Sequence, residues 1–140
     1  MGWTSWWKRK PKFDTSNVPK HIMPLINTKK AGPNCWNATI LFFKPSEEIR
    51  YVSPEEMIDW IHANTSDDEY KLCRPGDIFA MSNEDSGLLH TAVWVAPGIL
   101  FHKRGIANEW EFVTEKQIRT IYHEATIFHY RILKSETTNT

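Results

Sequence analysis

Three residues of this 140-residue chain have types that together could carry out nucleophilic chemistry: Cys35, His90 and His102. Cys35 lies in the stretch Gly32-Pro33-Asn34-Cys35-Trp36-Asn37-Ala38-Thr39-Ile40-Leu41-Phe42-Phe43. A Gly-Pro turn is followed there by an N-cap residue and then by an apolar run that must be buried. A helix starting at this point puts Cys35 in its first turn, where unpaired N–H groups and the positive end of the helix dipole favour thiolate over thiol. A cysteine nucleophile also needs a base near its sulfur, and usually a third polar group that holds the base's ring in one tautomer. Of the six histidines, His21 falls in an extended leader, His62 among polar residues of a second helix, and His123 and His129 beside the last strand. His90 and His102 differ, because each belongs to one of two apolar runs joined by the turn Pro97-Gly98. Hairpin pairing of those runs sets the two histidines on neighbouring strands, facing the layer in which the Cys35 helix packs. The register across the turn is left open by the sequence.

The elements that must position these residues follow in order. Pro11, Pro19, Pro24 and Pro33 keep the chain from Lys10 to Asn34 extended, while Ile22, Met23, Leu25 and Ile26 anchor it to the core. The Cys35 helix ends near Lys44-Pro45. Ser53, Pro54 and Glu56 signal a second helix with a capping box, and Met57, Ile58, Trp60 and Ile61 form its apolar stripe. A polar loop, Asn64 to Asp68, closes it. From Leu72 onward the period becomes that of strands, with Asp77–Met81, Leu89–Ala96, Ile99–Lys103, Trp110–Val113 and Ala125–Leu133 as candidates. Thr114 and Gln117 cap a short helix inserted before the last of them. Helices first and an antiparallel sheet afterwards make an α+β layout. Residues 1–20 read as an N-terminal arm or extended leader, 21–134 as one domain, and 135–140 as a polar tail.

Composition narrows the function classes. Lys+Arg and Asp+Glu are 17 each, and a neutral balance argues against a nucleic-acid partner, which usually selects a strongly basic domain. No apolar run approaches the roughly 20 residues of a membrane-spanning helix. Trp3, Trp6 and Trp7 lead straight into Lys8-Arg9-Lys10 with no apolar core, so the start of the chain does not read as a signal peptide. The two cysteines lack Cys-x-x-Cys spacing for zinc, and no metal or cofactor is expected. Cys73 is expected as a free thiol. Asn37-Ala38-Thr39 and Asn64-Thr65-Ser66 match the glycosylation pattern by chance.

The run Asn-Cys-Trp-Asn-Ala at a helix start is followed by Arg74-Pro75-Gly76-Asp77-Ile78, then His90-Thr91-Ala92-Val93-Trp94-Val95, then Ile99-Leu100-Phe101-His102-Lys103. In that order the motifs, spanning about Ala31 to Lys103, resemble the NlpC-type branch of papain-like cysteine peptidases and amidases. The resemblance implies a cysteine-bearing helix packed on an antiparallel sheet, with Cys35 as nucleophile, His90 as general base and acid, and His102 as the ring-orienting residue. It also implies a peptide or peptidoglycan-fragment substrate cleaved through an acyl-enzyme, at the cell wall and outside the cytoplasm, in a secreted or periplasmic protein. The oxyanion hole is expected from the Cys35 backbone N–H and one further donor, for which Asn34 and Asn27 are candidates. Trp36 and Trp94 are candidates to line a groove. Lys103, with Arg104, is a candidate to meet a substrate carboxylate. Two other functions fit the same residues: lipid acyl transfer or thioester hydrolysis on a related fold, and peptide binding on an inactive scaffold.

Overall fold

In the computed structural model the described residues are 12–66 and 73–133. Residues 1–11 of the expected arm, the expected tail 135–140, and Asp67 and Asp68 of the expected loop lie outside them. The chain runs through a short 3-10 turn (Met23–Leu25), α1 (Cys35–Phe43), α2 (Pro54–Asn64), β1 (Ile78–Asn83), β2 (Gly87–Ala96), β3 (Ile99–Lys103), β4 (Trp110–Thr114), α3 (Glu115–Ile121) and β5 (Thr126–Tyr130). The strands form one antiparallel sheet in the order β4-β3-β2-β1-β5. The fold is therefore α+β.

Local chemistry explains the boundaries. The Asn34 side chain accepts the Asn37 N–H at 3.3 Å and so caps α1. From Cys35 to Phe42 every residue of α1 is buried. Such a helix has no solvent face, because the sheet, the leader and α2 surround it. The sequon residue Asn37 is among them and donates its side-chain amide to the Glu48 carbonyl at 2.7 Å. Ser53 accepts the Glu56 N–H to start α2, but only half of the expected capping box forms, since the Glu56 carboxylate pairs with Arg50 instead. The reciprocal box is complete at α3, where Thr114 and Gln117 satisfy each other's backbone N–H groups. Gly98, at φ 72°, makes the tight turn between β2 and β3 that a Cβ would strain.

The pleat divides the sheet into two faces. Val93, Val95, Phe101 and Trp110 pack with Ala38, Leu41 and Phe42 of α1 and with Val18 and Ile22 of the leader. Phe79, Met81, Ala92, Leu100 and Val113 pack on the other face with Ile118 of α3. Alternation along β2 and β3 places His90 and His102 with Ala92 and Leu100 on the α3 face. The expectation that both histidines face the Cys35 helix is therefore corrected. One step of strand parity separates the two outcomes, and Thr91 takes the α1 side instead, its hydroxyl 2.7 Å from that of Thr39.

Candidate active site

Asn34 holds the start of α1 in place. Its side-chain N–H donates to the Val52 carbonyl at 2.8 Å and its oxygen accepts the Val52 N–H at 3.1 Å, in addition to capping Asn37. This carboxamide is a buried clamp between two chain segments, and the clamp engages one of the two N–H groups of the residue expected as an oxyanion donor. Cys35 follows it, buried in a cluster with Trp36, Ile40, Val52, Met57 and Ile61. Both cysteines are free thiols.

The state of the Cys35 thiol differs from the expectation drawn from the helix start. Burial pushes it up to about 11, although the backbone N–H groups of Thr91, Trp36 and Cys35 itself and the charge of Lys103 all favour thiolate. Desolvation outweighs the field of the first helical turn because that field amounts to only about 1 kcal/mol or less at most sites, while burying an unpaired anion costs several. At neutral pH Cys35 is therefore a protonated thiol.

His90 is 1% exposed and His102 is fully buried. Their rings stand edge to face, and His90 Nε2 lies 2.8 Å from His102 Nδ1. His102 Nε2 in turn lies 3.0 Å from a carboxylate oxygen of Glu111, its partner across the β3–β4 ladder. The carboxylate can only accept, so His102 carries its proton on Nε2. When His102 is neutral its Nδ1 is an acceptor, which His90 serves by donating from Nε2. The lone pair of neutral His90 therefore sits on Nδ1. This chain of donors fixes two tautomers from one carboxylate, the third-group function that a cysteine nucleophile's base requires. Burial, then the neighbouring His102 and the Arg104 charge, hold His90 well below its ordinary value of 6.5, so at neutral pH it is a free base. Tyr122, at the end of α3, stacks on the His90 ring at 4.6 Å and 17° and shields one face of it from water.

Cys35 touches the β2 backbone one residue past His90. The N–H beside the thiol belongs to Thr91, the residue directly after His90. Among the described residues no hydrogen bond joins Cys35 Sγ to either histidine, and the pleat turns the His90 ring to the face of the sheet opposite α1. The remaining expected site residues take other places. Trp36 is buried with its indole N–H unpartnered, and Trp94 stacks on Phe79 at 6.3 Å. Lys103 has no exposed surface. Its ammonium donates to the Gly105 carbonyl at 2.8 Å and lies 5.4 Å from the centre of the Trp110 ring, so it biases the thiol from within the core and does not reach solvent. Asp77, a turn and strand-start residue as expected, is buried and forms a two-pronged ion pair with Arg131.

No family model, curated protein or solved structure matches the chain. The site's chemistry thus rests on its own geometry. Among the described residues no group of histidine, cysteine and acidic side chains is arranged to hold a metal ion, and no helix is long and apolar enough to cross a membrane. Glu111 and Tyr122 are the site residues that sequence reasoning did not identify. Glu111 left a signal: in Trp110-Glu111-Phe112-Val113 it is an acidic residue inside an otherwise apolar strand. Tyr122 left none, since its stacking depends on how α3 returns over the sheet.

Proposed function

We propose that the protein is a cysteine-dependent hydrolase of amide bonds, with an NlpC-type papain-like arrangement and peptidoglycan peptides as the substrate class. The observation that carries this reading is the hydrogen-bonded run from Glu111 through His102 to His90, the residue before the Thr91 N–H that lies beside the Cys35 thiol. The proposed reaction requires that substrate binding bring Sγ within reach of His90 Nδ1, which takes the thiol proton as Sγ bonds to the amide carbonyl carbon. The tetrahedral oxyanion is stabilised by the Cys35 backbone N–H at the start of α1. His90 then returns the proton to the leaving nitrogen, the C–N bond breaks, and an amine departs. Water, deprotonated by the same imidazole, attacks the thioester; the C–S bond breaks and Sγ recovers its proton. Because both groups are neutral at rest, proton transfer accompanies attack.

The test is incubation with purified cell wall, scored by new free amino groups, with Cys35→Ala as control. Release by the wild type alone supports the reading, and equal null traces reject this substrate. A second reading, transfer or hydrolysis of a lipid acyl group, is favoured by an apolar recess of about 210 Å³ next to the Cys35 cluster. Ile61, Leu88 and Tyr130 belong to both recess and cluster, and exposed Ile58 and Phe128 form its rim. Trapping an acyl-enzyme with lipid esters but not with peptides would select it. The raised thiol also suits an inactive peptide-binding scaffold, which predicts no Cys35-dependent turnover of either.

A further inference from the structure

Charge is unevenly placed along a chain whose net charge is zero. Residues 1–30 hold seven of the 17 Lys and Arg residues and one of the 17 Asp and Glu residues, Asp14, whereas residues 31–140 hold the other ten and sixteen. The fold keeps this imbalance apart in space. His21 donates a ring N–H to the Leu41 carbonyl of α1 at 2.6 Å, and Phe13 meets Phe112 edge to face at 4.9 Å. Asn27 and Thr28 share backbone hydrogen bonds with Trp110 of β4. The leader from Phe13 to Lys30 is thereby pinned beside β4, at one edge of the sheet. Its Lys20, Lys29 and Lys30 are exposed and form no ion pair among the described residues. The acidic groups on that side have other engagements: Asp14 accepts the Ser16 N–H, Glu111 is turned to His102, and Glu109 shares a recess with Lys29 and Arg104.

The acidic excess lies toward the other edge. There α2 covers β1 and β5 through Ile58 and Ile61 and exposes Glu55, Glu56 and Asp59, and the β1–β2 turn exposes Glu84 and Asp85. Four strand spacings, about 19 Å, separate the two edges of the sheet, more than the ~8 Å over which charge is screened at physiological salt. A flat anionic surface therefore meets the basic edge without feeling the acidic one. The residues leading into the strip select the kind of surface: Trp3, Trp6 and Trp7 precede Lys8-Arg9-Lys10. Indole rings favour the headgroup level of a bilayer, and cations beside them gain from anionic lipids.

We propose that the leader edge is a docking surface for an anionic lipid bilayer, with Lys20, Lys29 and Lys30 as its fixed cations and the three tryptophans as interfacial anchors. Docking of this kind is independent of Cys35 chemistry, so Cys35→Ala should bind as the wild type does.

The test is co-sedimentation of the full chain with vesicles of phosphatidylcholine alone or mixed with phosphatidylglycerol. Binding is expected to the mixed vesicles only, and it should weaken as salt is raised. Changing Lys20, Lys29 and Lys30 together to Gln should weaken it about tenfold to a hundredfold. Changing Trp3, Trp6 and Trp7 together to Ala should weaken vesicle binding about tenfold but leave retention on heparin, which depends on charge, within about twofold. Glu55→Gln with Glu84→Gln, at the far edge, should alter vesicle binding by less than about twofold. The three lysines are exposed, so equal unfolding midpoints confirm that their variant is folded. Equal binding to both vesicle types, binding to neither, or a lysine variant that binds like the wild type overturns the proposal. Retention on heparin or single-stranded DNA without vesicle binding also overturns it, and would assign the strip to a soluble polyanion.

Discussion

The two faces of the central β2–β3 hairpin solve opposite problems with the same physical cause. On the α1 face, burial raises the Cys35 thiol to about 11 and keeps its proton on. On the α3 face, burial lowers His90 and keeps a proton off. Each group alone is inert at neutral pH, one as a protonated acid and the other as a free base. Desolvation penalises whichever form is charged, so a single low-dielectric sheet holds both partners neutral. The faces differ in what orients them. Cys35 is held by a backbone clamp through Asn34, whereas His90 is held by a run of side chains that ends at Glu111. The position of Cys35 therefore depends on folding stability, and that of His90 on one carboxylate.

Variants can break this contrast in order of expected effect. Replacing the base by His90→Ala should lower hydrolysis by roughly 10³-fold or more, measured as free amine released, while leaving α1 intact. A loss below about tenfold would mean that His90 is not the base. Asn34→Ala removes a cap and strands the buried Val52 N–H, and should cost about 3 kcal/mol of stability in urea unfolding. A smaller loss of stability with a large loss of activity would show that Asn34 touches substrate after all. Glu111→Leu should reduce turnover about tenfold to a hundredfold by releasing both tautomers, while Glu111→Gln, which keeps an acceptor oxygen, should stay within a few-fold. Nitrogen NMR of the imidazoles separates positioning from mere packing: the proton on His90 Nε2 should become delocalised between tautomers only in the Leu variant.

The pH dependence has a defined sign on each face. His90 is lowered by folding, so the unfolded chain takes up more protons once the pH falls below about 6.5. Stability should be constant above that pH and fall below it by at most about 1.4 kcal/mol per unit from this group, and His90→Gln should flatten the slope. Cys35 is raised, so its contribution is complete below its ordinary value of 9.0 and is lost as the pH climbs toward about 11. Over that same window its alkylation rate should rise without a plateau at neutral pH. A plateau beginning near pH 5 would reveal a thiolate–imidazolium pair and collapse the contrast. The smallest expected effect is at the surface, where Glu56→Ala, losing only the exposed Arg50 contact, should change stability by less than about 1 kcal/mol.

Much of the scaffold is legible in short-range chemistry. The cap at Asn34, the Ser53-Pro54 start of α2, the Thr114–Gln117 box and the Pro97-Gly98 turn are each decided within a few residues, so their elements fall where the sequence places them. The same locality explains the partial box at Glu56, where a competing Arg50 lies outside the window that a capping motif samples.

Local sequence is thus enough for the α+β order of elements, for the cap that puts Cys35 in a first helical turn, and for the hairpin that makes His90 and His102 neighbours. It does not say which sheet face each residue takes, that Glu111 meets His102, or that Lys103 is buried while Arg104 is exposed. Those outcomes belong to the assembled sheet, and strand parity is their cause. A register defined across all the strands, not any local propensity, selects one face or the other for every side chain at once. The neutral thiol has a different cause, desolvation, because a dipole set up within one turn of α1 is opposed by the combined packing of the sheet, α1 and α2 around it.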